Sequence, residues 1–255
     1  MYPTLFNIGG TAVSSYSVMV LIAYLTAYYF TILEVKRRGF EDSVADWILL
    51  SALFGGLGGA KLLFLYQNVT PAMFFNEPLR YLSSGLTFYG GLIGSLILIL
   101  LVGYWKKISF WDLTDSTAPG LAIAYGIGRI GCLLVGDDYG TPTDVPWALS
   151  FPQGSPPTNQ NVHPTQIYDT ISMILTFALL WGVRKEKFPS GWIFSLFLII
   201  VGIERFLVEL VRNTTPSFIE GLSQAQVISI VLFLFGLVNL VRIGFFTKLI
   251  SGDRN

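Results

Sequence analysis

Three arginines define the chemistry that this chain is equipped for. Arg205 and Arg212 flank Glu209 in Arg205-Phe206-Leu207-Val208-Glu209-Leu210-Val211-Arg212. Positions i, i+4 and i+7 lie within about 60° on one helical face. Arg129 sits in Gly126-Ile127-Gly128-Arg129-Ile130-Gly131. Glycines on both sides let neighbouring helices approach and leave the guanidinium free to reach an anion. The planar fork of a guanidinium binds phosphate oxygens through paired N–H donors, so two such groups at one depth suit a phosphate. The plainer reading of the stripe is that Glu209 neutralises the arginines inside a helix bundle. Lys61, Tyr89 and the single histidine, His163, complete the set; only the imidazole titrates near neutrality when unperturbed. Asp137 and Asp138 are adjacent carboxylates without a further ligand set, so no metal is expected there. Cys132, the one cysteine, reads as a small hydrophobe and not as a nucleophile.

The elements that carry these residues are membrane spans. Of 255 residues, 53% are hydrophobic and 13% charged, and mean hydropathy is +0.61. Soluble domains run nearer about a quarter charged. Formal net charge is zero, which gives no reason to expect nucleic acid as a partner. Seven apolar stretches approach the roughly 20 residues that cross the hydrocarbon, over 15–33, 46–66, 86–105, 115–135, 166–183, 191–211 and 224–246. The expected fold is an all-α integral membrane protein, a single polytopic domain over 1–255. Residues 1–13 hold no Lys or Arg, so the first span is expected to be permanent and not part of a cleaved signal peptide.

Basic residues orient the spans. Lys36, Arg37 and Arg38, then Lys106 and Lys107, then Arg184, Lys185 and Lys187, and finally Arg242, Lys248 and Arg254 fall on alternate connections and the tail. The opposite connections hold only Arg80, with Arg212 at a span end. Basic loops face the cytoplasm, so the N-terminus is expected outside and the C-terminus inside. The Pro/Gly/Ser/Thr/Asn-rich segment 136–165, without Lys or Arg, then forms an external loop.

With that orientation, Lys61, Arg129 and Arg205 lie roughly 7–11 Å below the outer ends of their helices. Tyr89 lies about one turn below the start of the third span. His163, Gln166, Tyr168 and Asp169 stand at the mouth of the fifth. Each intramembrane charge costs roughly 2.5–3.5 kcal/mol even on lenient scales. Their convergence therefore points to one outward-facing site, where the phosphate at hand belongs to a phospholipid. The paired glycines Gly55-Gly56-Leu57-Gly58-Gly59 and Gly90-Gly91-Leu92-Ile93-Gly94 read first as helix-packing devices.

In order, the chain also carries Gly85-Leu86-Thr87-Phe88-Tyr89-Gly90-Gly91-Leu92-Ile93-Gly94, Gly128-Arg129-Ile130-Gly131-Cys132-Leu133, His163-Pro164-Thr165-Gln166-Ile167-Tyr168-Asp169 and the Arg205–Arg212 motif. With these it resembles the phosphatidylglycerol–prolipoprotein diacylglyceryl transferases over nearly its whole length. The resemblance implies a bacterial inner-membrane enzyme without a cofactor. In that family the lipobox cysteine thiol of a prolipoprotein signal peptide attacks the glyceryl carbon of phosphatidylglycerol. A thioether forms and glycerol-1-phosphate leaves. The resemblance further implies that Arg129 holds the lipid phosphate, that Arg205 is the essential arginine of the sixth span and that Glu209 orients it. Arg212 would gather charge at the mouth. Gly90, Gly91, Asp137 and Lys61 join Arg129 and Arg212 as expected substrate contacts, and Tyr89 and His163 join the expected catalytic group.

Two departures stand out. The family commonly places histidine where this chain has Tyr89, and asparagine where it has Cys132; the usual Asn-Gly-Glu is here Val135-Gly136-Asp137. A phenol with an ordinary pKa near 10 is a poor base at neutral pH, so Tyr89 reads as a hydrogen-bond donor or as a phenol made more acidic by the arginines. A second reading is therefore a divergent member that binds or moves phospholipid, or transfers to another acceptor. A solute transporter is a third, opposed by an inner half of nearly pure Leu, Ile, Val, Phe and Ala.

Overall fold

The computed structural model describes residues 1–212, 219 and 221–244. Helices dominate: α1 (Ser15–Arg37), α2 (Ser43–Leu50), α3 (Gly56–Asn68), α4 (Pro71–Asn76), α5 (Pro78–Ser83), α6 (Phe88–Lys106), α7 (Phe110–Val135), α8 (Thr165–Val183), α9 (Trp192–Glu209) and α10 (Gln224–Arg242). Two small antiparallel sheets accompany them, β1 (Thr4–Ile8) with β2 (Thr11–Ser14) and β3 (Leu149–Phe151) with β4 (Thr158–Val162). Among the described residues, six helical stretches are long and apolar enough to cross a membrane: Ser15–Arg37, Ser43–Asn68, Tyr89–Lys106, Phe110–Val135, Thr165–Val183 and Gln224–Arg242. The chain is thus built as a multi-pass membrane protein. α9, the remaining expected span, is 18 residues long and carries Glu204, Arg205 and Glu209.

Helix ends follow local chemistry. Ser109 accepts from the Asp112 N–H at 3.1 Å and so starts α7 ahead of the expected residue 115. Ser223 and Gln226 form a reciprocal capping box at α10. α10 stops at Arg242, and the end of the expected span at 245–246 falls outside the described residues. The second span is interrupted by a π-helical turn over Ser51–Gly55 between α2 and α3. The β1–β2 hairpin, turning through Gly9 and Gly10 at positive φ, and the short helices α4 and α5 were not legible as elements in the sequence.

The chain divides into two compact units, residues 31–113 and residues 1–30 with 114–255. In the first, α3 and α6 meet along glycines. A Cβ at Gly90 would stand 2.6 Å from Leu63 Cβ, and one at Gly91 would stand 2.9 Å from Gly56 O. Lys61 spends its ammonium donors on main-chain oxygens, those of Tyr81 at 3.2 Å, Gly85 at 2.8 Å and Ser84. It thereby ties α3 to the end of α5.

In the other unit the apolar core comprises Ala118 and Ala122 of α7, Leu180 of α8, Trp192, Ile193, Phe197 and Leu198 of α9, and Leu240 of α10. α9 enters through Gly191, at φ 92°, and Asp115 of α7 caps it. That carboxylate accepts from the Gly191 and Phe194 N–H groups, both at 2.8 Å. This tie explains why an acidic residue is tolerated inside α7. The three helices α7, α8 and α9 are therefore keyed together near the core, and their other ends carry the charged residues.

Candidate functional site

Arg129 lies ten residues beyond Pro119 on α7, in the segment that its glycines open to neighbours. A Cβ at Gly126 would meet Met173 Cβ at 3.3 Å, and one at Gly131 would meet Met19 Cβ at 3.0 Å. α8 and α1 thus approach α7 on the two sides of Arg129, as its glycine spacing suggests. Thr170 Oγ1 reinforces the first contact by donating to Gly126 O at 3.2 Å.

The Arg129 side chain is buried and surrounded by carboxylates. Its Nε lies 2.5 Å from Asp169 Oδ2, and its Nη1 donates to Asp138 Oδ2 at 3.0 Å. Asp169, fully buried one turn into α8, also faces Arg205 Nη1 at 3.9 Å. One carboxylate therefore stands between arginines from two other helices. Arg205 Nη2 faces Glu209 Oε2 at 3.5 Å, and Glu209 Oε1 accepts from Ser223 Oγ at 2.8 Å. Glu204 is buried and within electrostatic reach of Asp169, Arg205 and Arg129.

The expected Arg205–Glu209–Arg212 stripe is broken at its end. α9 stops at Glu209, and Arg212 follows in a turn whose backbone bridges to Gly140. Its Nη2 lies 2.5 Å from Asp138 Oδ1, so Arg212 pairs with the loop and not with Glu209. The reason is competition: Ser223 and Arg205 already engage Glu209, while Asp138 faces Arg212 just past the end of α9. A side chain at Gly140 would stand 2.8 Å from His163 Cβ, so only glycine lets this crossing close. Beyond Arg129 Nε, which faces Asp169, the buried guanidinium nitrogens Arg129 Nη2 and Arg212 Nη1 are without a hydrogen-bond partner in this cluster. Such donors in a low-dielectric setting are costly unless a ligand meets them.

The segment 136–165 supplies the rest. Gly136 (φ 72°) and Asp138 (φ 60°) turn the chain sharply after α7. Gln166 Nε2 donates to Asp137 O at 2.5 Å and Thr165 Oγ1 to Asp138 O at 2.7 Å, fixing the turn on the start of α8. Burial raises the Asp137 carboxyl above its ordinary range. For Asp138 burial acts the same way, but the hydrogen bonds and charges of Arg212 and Arg129 outweigh it and hold the carboxyl below that range. Ligand-type atoms of Cys132, Asp137 and Asp138 lie within 4.8 Å of one another. Arg129 Nη1 faces both Cys132 Sγ, at 3.6 Å, and Asp138, so a guanidinium already stands where a cation would go.

The remaining expected site residues have other neighbours. His163 Nδ1 is 3.1 Å from Tyr168 Oη, which accepts from Trp147 Nε1 at 2.8 Å. Tyr89, the second residue of α6, is 44% exposed. Gly90, Gly91 and Lys61 serve the α3–α6 packing and the loop contacts described above. The sequence places Asp169 at the mouth of the fifth span, but it does not show that Asp169 pairs with Arg129 and Arg205, or that Glu204 is buried beside them. The available signal was the charge itself: a carboxylate within an apolar helix, at the depth of two arginines, needs a cation.

Buried guanidiniums facing carboxylates form a donor set of the kind that suits the oxygens of a phosphate. The family model described as prolipoprotein diacylglyceryl transferase matches residues 3–242. The chain is 36% identical to a phosphatidylglycerol–prolipoprotein diacylglyceryl transferase of Clostridium tetani, covering 93% of this chain and 96% of that protein. A Bordetella avium protein of the same name is 34% identical, with 92% of each chain covered. One from Geobacter sulfurreducens is 32% identical, over 94% of this chain and 95% of its own.

Proposed function

The chain belongs to the prolipoprotein diacylglyceryl transferase family, and we propose that it moves the diacylglyceryl group of phosphatidylglycerol onto the lipobox cysteine of prolipoprotein signal peptides, in the outer leaflet of the inner membrane. In this reading α9 completes seven spans, the N-terminus lies outside and the C-terminus in the cytoplasm. The alternation of basic connections supports that orientation.

The reaction is a substitution at carbon. The thiol loses its proton, the sulfur forms a bond to the glyceryl carbon, and the C–O bond breaks with its electron pair leaving on the phosphate. Glycerol-1-phosphate departs. A thiol attacks only as thiolate, and the leaving phosphate needs cations already in place where charge grows. Arg129 is the first phosphate ligand in this scheme, because its Nη2 is buried and without a hydrogen-bond partner, and its Nε is held by the fully buried Asp169. Arg205, with its side chain 25% exposed, supplies positive potential from the next helix, and Glu209 orients it. Tyr89 serves as hydrogen-bond donor or proton relay, in the place where the family commonly has histidine.

The observation that carries this reading is the meeting of Arg129, Arg205 and Arg212 around two carboxylates, with two guanidinium nitrogens left for an anion. Complementation tests it. A strain depleted of its own diacylglyceryl transferase should grow with this chain and not with its Arg129→Ala variant. Failure of the wild-type chain, expressed and membrane-inserted, would overturn the reading in favour of lipid binding without chemistry.

A further inference from the structure

Asp138 differs from the other carboxylates of the site in how it is held. Its two oxygens are divided between two arginines, Oδ2 at 3.0 Å from Arg129 Nη1 and Oδ1 at 2.5 Å from Arg212 Nη2. That is the bridging geometry a phosphate adopts between two guanidiniums. Apart from Arg129 Nε, which faces Asp169, buried nitrogens without a hydrogen-bond partner remain on both arginines, at Arg129 Nη2 and Arg212 Nη1. A carboxylate therefore fills part of an anion site in which two buried guanidinium nitrogens still lack a hydrogen-bond partner.

Asp169 and Glu209 are fixed on helices and almost wholly buried, whereas the Asp138 side chain is 49% exposed on a loop. Its main chain is anchored independently, by Thr165 Oγ1 on the Asp138 carbonyl. The carboxylate can thus swing to solvent by side-chain rotation while its backbone stays in place. Its positive φ of 60° is one that Asp tolerates better than most residues.

The reaction supplies a reason for such a device. A phosphodiester carries one negative charge, and the phosphomonoester that leaves carries about 1.5 to 2 at neutral pH. Two guanidiniums therefore hold the product more tightly than the substrate. A tethered anion competes at high effective concentration and limits that imbalance. Building on the transferase reading above, we propose that Asp138 is an internal stand-in for the phosphate: it closes the Arg129–Arg212 pair between turnovers, yields to the lipid headgroup and, on returning, expels glycerol-1-phosphate. Arg212 is then the second phosphate ligand, and Asp138 tunes affinity without touching the reacting atoms.

The test measures binding apart from turnover. Purified full-length protein in detergent is titrated calorimetrically with glycerol-1-phosphate, as wild type, Asp138→Asn and Asp138→Glu. Asp138→Asn should bind about tenfold more tightly than wild type, equivalent to about 1.4 kcal/mol, and Asp138→Glu should stay near wild type. In transfer assays Asp138→Asn should show a lower KM for phosphatidylglycerol, a lower kcat and about tenfold stronger inhibition by added glycerol-1-phosphate. Equal or weaker binding by Asp138→Asn, with a raised KM, would instead make Asp138 a fixed prop for Arg129 and overturn the proposal. Asp138→Ser repeats the measurement with a second neutral side chain should the amide not fold. Tighter phosphate binding without any transfer by the wild type would leave the stand-in intact and remove the transferase reading. Transfer without that gain in binding would do the reverse.

Discussion

Neutralising Asp169 is the perturbation that most directly probes how the site is assembled. Asp169→Asn keeps the shape of a fully buried side chain but removes the charge facing Arg129 Nε at 2.5 Å and Arg205 Nη1 at 3.9 Å. Breaking a buried ion pair by removing one partner costs about 3–5 kcal/mol. The lower end applies here, because Arg205 retains a side chain 25% exposed and Asp138 still faces Arg129 at 3.0 Å. A loss of about 3 kcal/mol should lower the melting temperature in detergent by about 6–12 °C for a chain of this size. Arg129→Gln should cost a similar amount, since it strands Asp169 inside the helix bundle. The double variant removes both charges, so it should be far less destabilised than the sum, with a coupling of about 2–3 kcal/mol. Thermal melts of the four proteins, followed by intrinsic fluorescence in one detergent, complete the cycle. Strict additivity would refute the claim that Asp169 is the charge that keys α8 to α7.

Arg205→Ala should abolish transfer while leaving a folded membrane protein, and Arg205→Lys should recover little of it, because an ammonium lacks the planar fork. Loss of one preorganised donor costs about 100-fold or more in rate, so wild-type turnover in the alanine variant would contradict the site. Tyr89→Phe should slow transfer strongly with little change in lipid KM. Tyr89→His should keep or raise activity and add a limb to the pH–rate profile near about pH 6–7; equal turnover by the phenylalanine variant with an unchanged profile would show the ring to be structural. The Asp138 carboxyl is held below its ordinary value by Arg212 and Arg129 against the effect of burial. Its stabilisation is therefore present above the unfolded-state pKa and lost as pH falls through the lower folded one. The stability difference between wild type and Asp138→Asn should stay constant from about pH 8 to about pH 5 and shrink only in stronger acid; a difference that fades between neutrality and pH 5 contradicts the pairing.

Apolar runs made most of the helices legible in the sequence, because each of the six long stretches meets its own length and hydropathy needs locally. Arg129 was legible for the same kind of reason: Gly126 and Gly131 announce close neighbours within a few residues of it. The partners of the arginines were not. Asp169 pairs with Arg129 and Arg205 across three helices, and no local spacing encodes which helix faces which. Arg212 looked helical by its i+7 position, yet the contest between Ser223, Arg205 and Asp138 for nearby charges sets its direction. Lys61 looked like an intramembrane cation awaiting a ligand. The 81–85 segment supplies its acceptors, which depend on α4 and α5, helices of 6 residues each, too short to show a period.

The most direct measurement of the account is transfer by the purified chain in vesicles of phosphatidylglycerol with a synthetic lipobox peptide. Mass spectrometry reads the peptide and an enzymatic assay reads the released phosphate. The account predicts a thioether-linked diacylglyceryl group on the peptide cysteine, with one glycerol-1-phosphate released per modified thiol, and neither product when that cysteine is replaced by serine. An unmodified peptide in the presence of folded protein, or glycerol phosphate released equally with the serine peptide, would contradict it.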